Sequence, residues 1–384
     1  MSTAKSDELG GAVMLGAAVA ALIWANSPLA ETYHLVFAKV VGVGSGAWGL
    51  RKSLELWISD ALMAIFFLQV GLEIKREMLV GQLSSRERIA LPTISALGGM
   101  ALPALIFLSL NRGDAISARG WAVPCATDIA FSLAVLRLVG RHVPESLRLF
   151  LTAVAVLDDV GSIVIIALFY TAELSVAMLL AALVPIVVLV ALNRAGVASV
   201  VPYLLVGLVL WFCILKSGIH PTIAGVILAS TIPLRTKRGP MLEPLEERLQ
   251  PWVVFLILPL FALANAGVSL AGLSPQSILD PVALGIILGL FFGKTFGISL
   301  GVWVSGALRL GSKPEDASWM QMLGVANLAG IGFTMSLLLG ALAYDPIAPH
   351  LFADAKLGVL LGSTVGAVVG LIVLLAARPR FRTA

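Results

Sequence analysis

Long apolar runs separated by short polar stretches set the pattern of this chain. The runs fall near 9–30, 57–72, 90–110, 120–140, 147–170, 175–193, 199–215, 218–234, 250–270, 282–307, 319–342 and 355–377. Each approaches the ~20 residues that an α-helix needs to cross a bilayer. They predict an all-α polytopic membrane protein with about twelve transmembrane helices, organised as a single domain over 1–384. The first run follows only Lys5 and is long for the core of a signal peptide, so it reads as a span. After it comes a long loop, 31–56, which alternates weakly through Tyr33, Leu35, Phe37, Val41 and Val43. This loop crosses Gly-Val-Gly-Ser-Gly at 42–46 and resumes at Trp48. The pattern fits either a β-hairpin with a Gly-rich turn or an irregular loop.

Composition narrows the class further. Of 384 residues, 59% are hydrophobic and 12% charged, about half the charged fraction of a soluble domain. A mean hydropathy of +0.99 argues against disorder and against a nucleic-acid partner. Cys125 and Cys213 both lie in apolar runs and lack the spacing of a disulfide framework or a zinc site. The net charge of +4 matters less than where the basic residues fall. With the N-terminus in the cytoplasm, eighteen of the 26 Lys and Arg lie in inside segments and seven in outside ones, leaving Lys294 within a span. The positive-inside rule then puts both termini in the cytoplasm and the 31–56 loop outside.

An ionisable side chain within a span costs at least ~2.5–3.5 kcal/mol and marks function by default. Asp128, Asp158, Asp159 and Lys294 make up this set, and Asp60 sits near the outer end of the second span. Asp158 and Asp159 stand in Thr152-Ala-Val-Ala-Val-Leu-Asp-Asp-Val-Gly-Ser162, in mid-span. Neighbours on a helix point about 100° apart, so both face lipid only at great cost and both border one cavity. Two such carboxylates repel and titrate as a coupled pair. They can hold protons in one state and a small hard cation in another. The bland alternative is a pair satisfied by neighbouring helices. Lys294, in Gly289-Leu-Phe-Phe-Gly-Lys-Thr-Phe-Gly297, is too deep in its span to snorkel. A pair with Asp158 or Asp159 is the economical reading, and exchange of its own proton is the other.

Two spans carry breaks. Asp128 follows Pro124-Cys-Ala-Thr127, where Pro124 removes a backbone hydrogen bond and Thr127 can satisfy freed carbonyls. Gly324, Gly330 and Gly332 weaken the helix around 323–336. Such glycines also serve close helix packing, but interrupted spans in both halves point to a transporter site. The third to fifth spans are matched by the tenth to twelfth, seven later, and an odd offset reverses direction as an inverted repeat requires. His220, between Gly218-Ile219 and Pro221-Thr222, is either a pH-responsive group or a satisfied helix-end residue. Glu73, Lys75, Arg76 and Glu77, and the run Glu243, Glu246, Glu247 and Arg248, read first as solvated helix ends.

Several ordered stretches then resemble one family along essentially the whole chain. They are Asp60-Ala-Leu-Met-Ala-Ile-Phe-Phe-Leu, Val70-Gly-Leu-Glu-Ile-Lys-Arg-Glu77, Ala126-Thr-Asp-Ile-Ala-Phe131, Leu157-Asp-Asp-Val-Gly161 and Lys216-Ser-Gly-Ile-His220. The same holds for Gln250-Pro-Trp-Val-Val-Phe-Leu-Ile-Leu-Pro-Leu-Phe-Ala-Leu-Ala-Asn-Ala-Gly-Val268, Gly293-Lys294 and Gly330-Ile-Gly-Phe-Thr-Met-Ser336. The chain resembles the NhaA-type Na⁺/H⁺ antiporters of bacterial inner membranes. The resemblance implies inverted repeats with two broken helices crossing at mid-membrane, the architecture for which this family is a known example. It implies Asp159 as the main cation and proton carboxylate with Asp158 beside it, and Lys294 as an ion-pair partner. Asp128 and Thr127 would compensate the helix ends at the crossing. Glu73, Arg76, Glu77 and Glu247 match the region linked to pH regulation, and the 31–56 loop corresponds to a dimer-forming hairpin.

The expected function is electrogenic export of Na⁺ or Li⁺ in exchange for protons, by alternating access and under pH control, serving sodium and pH homeostasis. No cofactor is expected, and the partners are the ions, the bilayer and a second copy of the chain. An intramembrane aspartyl protease would put its carboxylates on separate helices and gives no reason for Lys294. A channel needs rings of charge or filter loops, which this chain lacks. No GxxxxGK[ST] motif offers ATP as an energy source.

Overall fold

The computed structural model describes residues 3–44, 49–81, 83–140, 143–170, 174–270, 275–345 and 347–377. Arg141, Arg378, Arg380 and Arg382, four of the eighteen inside basic residues, and residues 45–48 of the Gly-rich stretch lie outside the described residues. In chain order come α1 (Thr3–Ala25), α2 (Ala30–Ala38), strands β1 (Val40–Val43) and β2 (Leu50–Ser53), α3 (Leu54–Leu79), α4 (Arg86–Asn111) and α5 (Ala115–Cys125, largely 3₁₀). They are followed by α6 (Ile129–Leu138), α7 (Glu145–Phe169), α8 (Val176–Arg194), α9 (Val200–Ser217) and α10 (Thr222–Thr231). After a two-residue strand pair, β3 (Arg235–Thr236) and β4 (Gly239–Pro240), the chain continues as α11 (Leu242–Asn265), α12 (Pro275–Leu279) and α13 (Pro281–Ala307). It ends with α14 (Trp319–Leu328), α15 (Phe333–Tyr344) and α16 (Pro349–Ala376).

Among the described residues, eight helices are long and apolar enough to cross a membrane, or up to eleven if each bent pair counts as one span. The bent pairs are α1–α2 (115°), α5–α6 (47°) and α14–α15 (47°). The run expected as a span over 218–234 forms a helix of only 10 residues, α10. Gly218, in the left-handed conformation at φ 88°, stops α9. Pro221 then precedes α10, so the turn between them consumes the start of the run.

The chain divides into two compact units interleaved along the sequence. The first takes residues 1–12, 82–162 and 268–384. In it α4 and α13 pack backbone to backbone: a Cβ at Gly98 would meet the backbone of Gly297, and one at Gly297 that of Gly98. Small residues at a helix crossing permit this approach. A π-helical turn, Gly289–Gly293, stands immediately before Lys294.

The second unit takes residues 13–81 and 163–267. There α10 packs on α3, with Gly225 against the backbone of Ala64 and Leu68. β1 and β2 pair antiparallel, from Val40 opposite Ser53 to Val43 opposite Leu50. Residues 30–38 are helical, although they lie in the weakly alternating loop. Tyr33 and Phe37, four apart, are the buried face of α2, and the Tyr33 hydroxyl reaches the carbonyls of Leu263 and Ala264, each at 2.9 Å. Burial of that helical pair outweighs the alternation.

Candidate functional site

In the first unit the two breaks meet. Residues 126–128 are extended between α5 and α6, and α14 ends where Ala329–Gly332 leads into α15. A broken helix exposes N–H groups at one new end and carbonyls at the other, and inside a membrane each needs a partner. Asp128 serves two N-termini at once. Its Oδ1 accepts from the Phe131 N–H (3.0 Å) in the first turn of α6. Its Oδ2 accepts from the Thr334 N–H (3.1 Å) and hydroxyl (2.6 Å) in the first turn of α15. A carboxylate here also complements the positive ends of both helices.

Hydroxyls handle the carbonyls reciprocally. Ser132 of α6 donates to the Leu328 carbonyl (2.8 Å), and Ser336 of α15 donates to that of Val123 (2.7 Å). The Asp128 N–H joins the strands of the crossing by donating to Ile331 O at 2.6 Å.

Asp158 lies on α7 next to this crossing. Its Oδ2 is 2.5 Å from Lys294 Nζ, and both side chains are fully buried. The same oxygen is 2.7 Å from the Thr127 hydroxyl, which is also 2.7 Å from the Ala329 carbonyl. That hydroxyl has one hydrogen for two acceptors and so links Asp158 to the end of α14. Asp158 Oδ1 is buried and takes no hydrogen bond among the described residues, leaving an oxygen with lone pairs to offer. Asp159, the next residue on the helix, is buried at 2% exposure. Burying an ion pair is rarely the cheapest way to stabilise a core, which favours a role in chemistry for Asp158 and Lys294. No group of three or more His, Cys, Asp or Glu forms a metal site among the described residues.

The other residues singled out in the sequence fall in the second unit. Arg76 forms a two-pronged pair with Glu246, Nε to Oε2 at 2.9 Å and Nη2 to Oε1 at 3.2 Å, and also contacts Glu77 at 2.8 Å. Glu246 makes this pair, and Glu247, the residue the resemblance points to in this region, is exposed. The signal was available in the helix period: Leu242, Leu245 and Leu249 lie on the inner face of α11, and 246 adjoins that face. Lys75 donates to the carbonyls of Ser230 and Ile232, both at 2.6 Å. His220 is buried, with Nδ1 2.7 Å from the Thr222 hydroxyl and Nε2 3.5 Å from Asp60 Oδ1. Thr334, Ser132 and Ser336 were not singled out. Hydroxyls three or four residues from each break were the only hint of them.

Comparison with known proteins identifies the family. The family model described as Na⁺/H⁺ antiporter 1 matches residues 1–374. A Na⁺/H⁺ antiporter NhaA of Rhodospirillum rubrum is 51% identical, covering 98% of this chain and 97% of its own. An NhaA 2 of Pseudomonas syringae pv. syringae is 53% identical over 96% of this chain and 93% of its own. An NhaA of Nitrobacter hamburgensis is 52% identical over 98% and 91%. On a match that runs almost end to end, the chain belongs to the NhaA-type Na⁺/H⁺ antiporters, a family of transporters and not of enzymes.

Proposed function

We infer that the protein exchanges intracellular Na⁺ or Li⁺ for external protons across a bacterial inner membrane, with Asp158 and Asp159 as the site shared by the two ions. The observation that carries this reading is the fully buried Asp158–Lys294 pair beside a second buried carboxylate, set against two helix breaks. In the protonated state the carboxyls are neutral and suited to burial. On loss of protons they offer hard oxygen ligands to a small cation. Protons and cation then compete for the same oxygens, and opening that site alternately to each side of the membrane gives counterflow. Lys294 holds Asp158 while no cation is bound.

Exchange of two protons for one Na⁺ moves one net charge inward per cycle. That couples export to the membrane potential at ~2.3 kcal/mol per 100 mV. Twelve spans arranged as inverted repeats, both termini in the cytoplasm and a dimer joined through the 31–56 segment complete the reading. Arg76 with Glu73, Glu77 and Glu247, together with His220, is the proposed region of pH control, and Glu246 joins it through its pair with Arg76. The test is dequenching of a ΔpH dye in everted vesicles on adding Na⁺, Li⁺ or K⁺, scanned over pH. Dequenching by Na⁺ or Li⁺ and not by K⁺ supports the reading. Absence of any cation-driven proton movement across the pH range overturns it.

A further inference from the structure

The hairpin poses a problem of stability. An isolated pair of strands is marginal in water, and all four residues of β1 are exposed. Backbone pairing alone does not account for an ordered hairpin. Side chains of the second unit supply the missing anchorage. The Trp57 indole N–H donates to the Val41 carbonyl (3.0 Å), and Lys216 Nζ donates to that of Gly49 (3.1 Å). Leu50 of β2 is buried. A charged tie runs from Lys52 of β2 to Asp60 on α3.

Asp60 is built into this corner from several directions. It sits in a π-helical turn, Ile58–Leu62, a feature that often marks a specialised position in a helix. Its carbonyl accepts from the Trp211 indole at 2.9 Å, and Trp211 stacks on Trp57 at 6.4 Å between ring centroids. Its Oδ1 faces His220, which Thr222 orients, and its Oδ2 takes Lys52. The Asp60 side chain is 8% exposed and that of Lys52 27%. A carboxylate this buried needs a partner, and the nearest cation belongs to the hairpin.

We propose that Asp60 is the seat of the hairpin: its buried carboxylate captures Lys52 and so fixes β1 and β2 on the ends of α3 and α9. Asp60 is then a positioning residue, and the hairpin is an arm whose order depends on a charge buried in the unit that carries it. The dimer assignment under Proposed function is not needed for this proposal, which concerns one copy of the chain.

The experiment is hydrogen–deuterium exchange on the full-length protein, comparing wild type, Lys52→Met, Asp60→Asn and the double variant. Peptides covering 40–53 report the hairpin, and peptides covering 319–344 serve as the reference. Each single variant is expected to speed exchange at 40–53 by about tenfold or more while the reference stays unchanged. The double variant is expected to be no faster than the faster single, because both remove the same tie. Unchanged hairpin exchange in Lys52→Met, a substitution at a partly exposed position, overturns the proposal. Acceleration in the double variant equal to the product of the two singles overturns it as well. Neither readout depends on transport, so failure here and failure of the exchange reading are separate results.

Discussion

The Lys294 side chain is fully buried, and its ammonium sits 2.5 Å from an equally buried Asp158. Removing one member of such a pair typically costs about 3–5 kcal/mol, because the other charge is stranded. Lys294→Gln is therefore expected to lower the melting temperature clearly, whether or not exchange survives. Lys294→Arg keeps the charge but does not release a proton in the working range. If pairing is the role of Lys294, the Arg variant keeps the wild-type reversal potential in proteoliposomes. If the lysine carries a transported proton, that potential shifts. We expect the former, because two carboxylates account for two protons unaided. Equal melting temperatures for wild type and both variants would reject the pair. The buried charges themselves were legible in the sequence, since few reasons place Asp158, Asp159 and Lys294 inside apolar runs. Which aspartate takes the lysine was not legible. That choice depends on how α7 is rotated against α13, and the π turn at Gly289–Gly293 offsets Lys294 from a regular α-helical register.

At the scale of elements, the two breaks were readable because Pro124, Asp128 and the glycines at 324, 330 and 332 are locally wrong for an uninterrupted helix. Their reciprocal repair was not readable, because Thr334 and Ile331 lie some two hundred residues from Asp128. Short elements between the long helices were the least legible. Nothing local distinguishes α2 from a strand until Tyr33 finds the Leu263 and Ala264 carbonyls. Helix starts outside the spans follow simpler rules and give a pH-dependent prediction. Asp114 caps α5, accepting from the backbone N–H groups of Ile116 (3.1 Å) and Ser117 (3.0 Å) and from the Ser117 hydroxyl (2.6 Å). These bonds, the hydroxyl first, hold its carboxyl below the usual range. A lowered folded-state pKa means the cap stabilises above the ordinary aspartate pKa and is lost as pH falls through the lowered value. Amide exchange at Ile116 and Ser117, corrected for intrinsic rates, should therefore rise only at acid pH in wild type. In Asp114→Ala it should already be raised at neutral pH. Matching profiles for the two proteins would remove the cap from the account.

Across the whole molecule, the carboxylate site, its lysine and both helix breaks fall within one unit, whereas the Arg76–Glu246 pair, His220 and the hairpin with its Asp60 seat fall within the other. The proposed exchange site and the proposed control region thus lie on different stretches of an interleaved chain. Apolar runs alone do not reveal which helices share a core, so this division into two units was not legible in the sequence. The central claim is that the two aspartates are the exchange site, and one comparison tests it most directly. Purified wild type and Asp159→Asn are reconstituted into proteoliposomes, and Na⁺-driven proton movement is measured with the orientation and amount of inserted protein matched. The amide neither binds a proton in this range nor offers a charge to Na⁺, so wild type is predicted to exchange and a folded Asp159→Asn to show none. Robust Na⁺/H⁺ exchange by the folded variant would contradict the account.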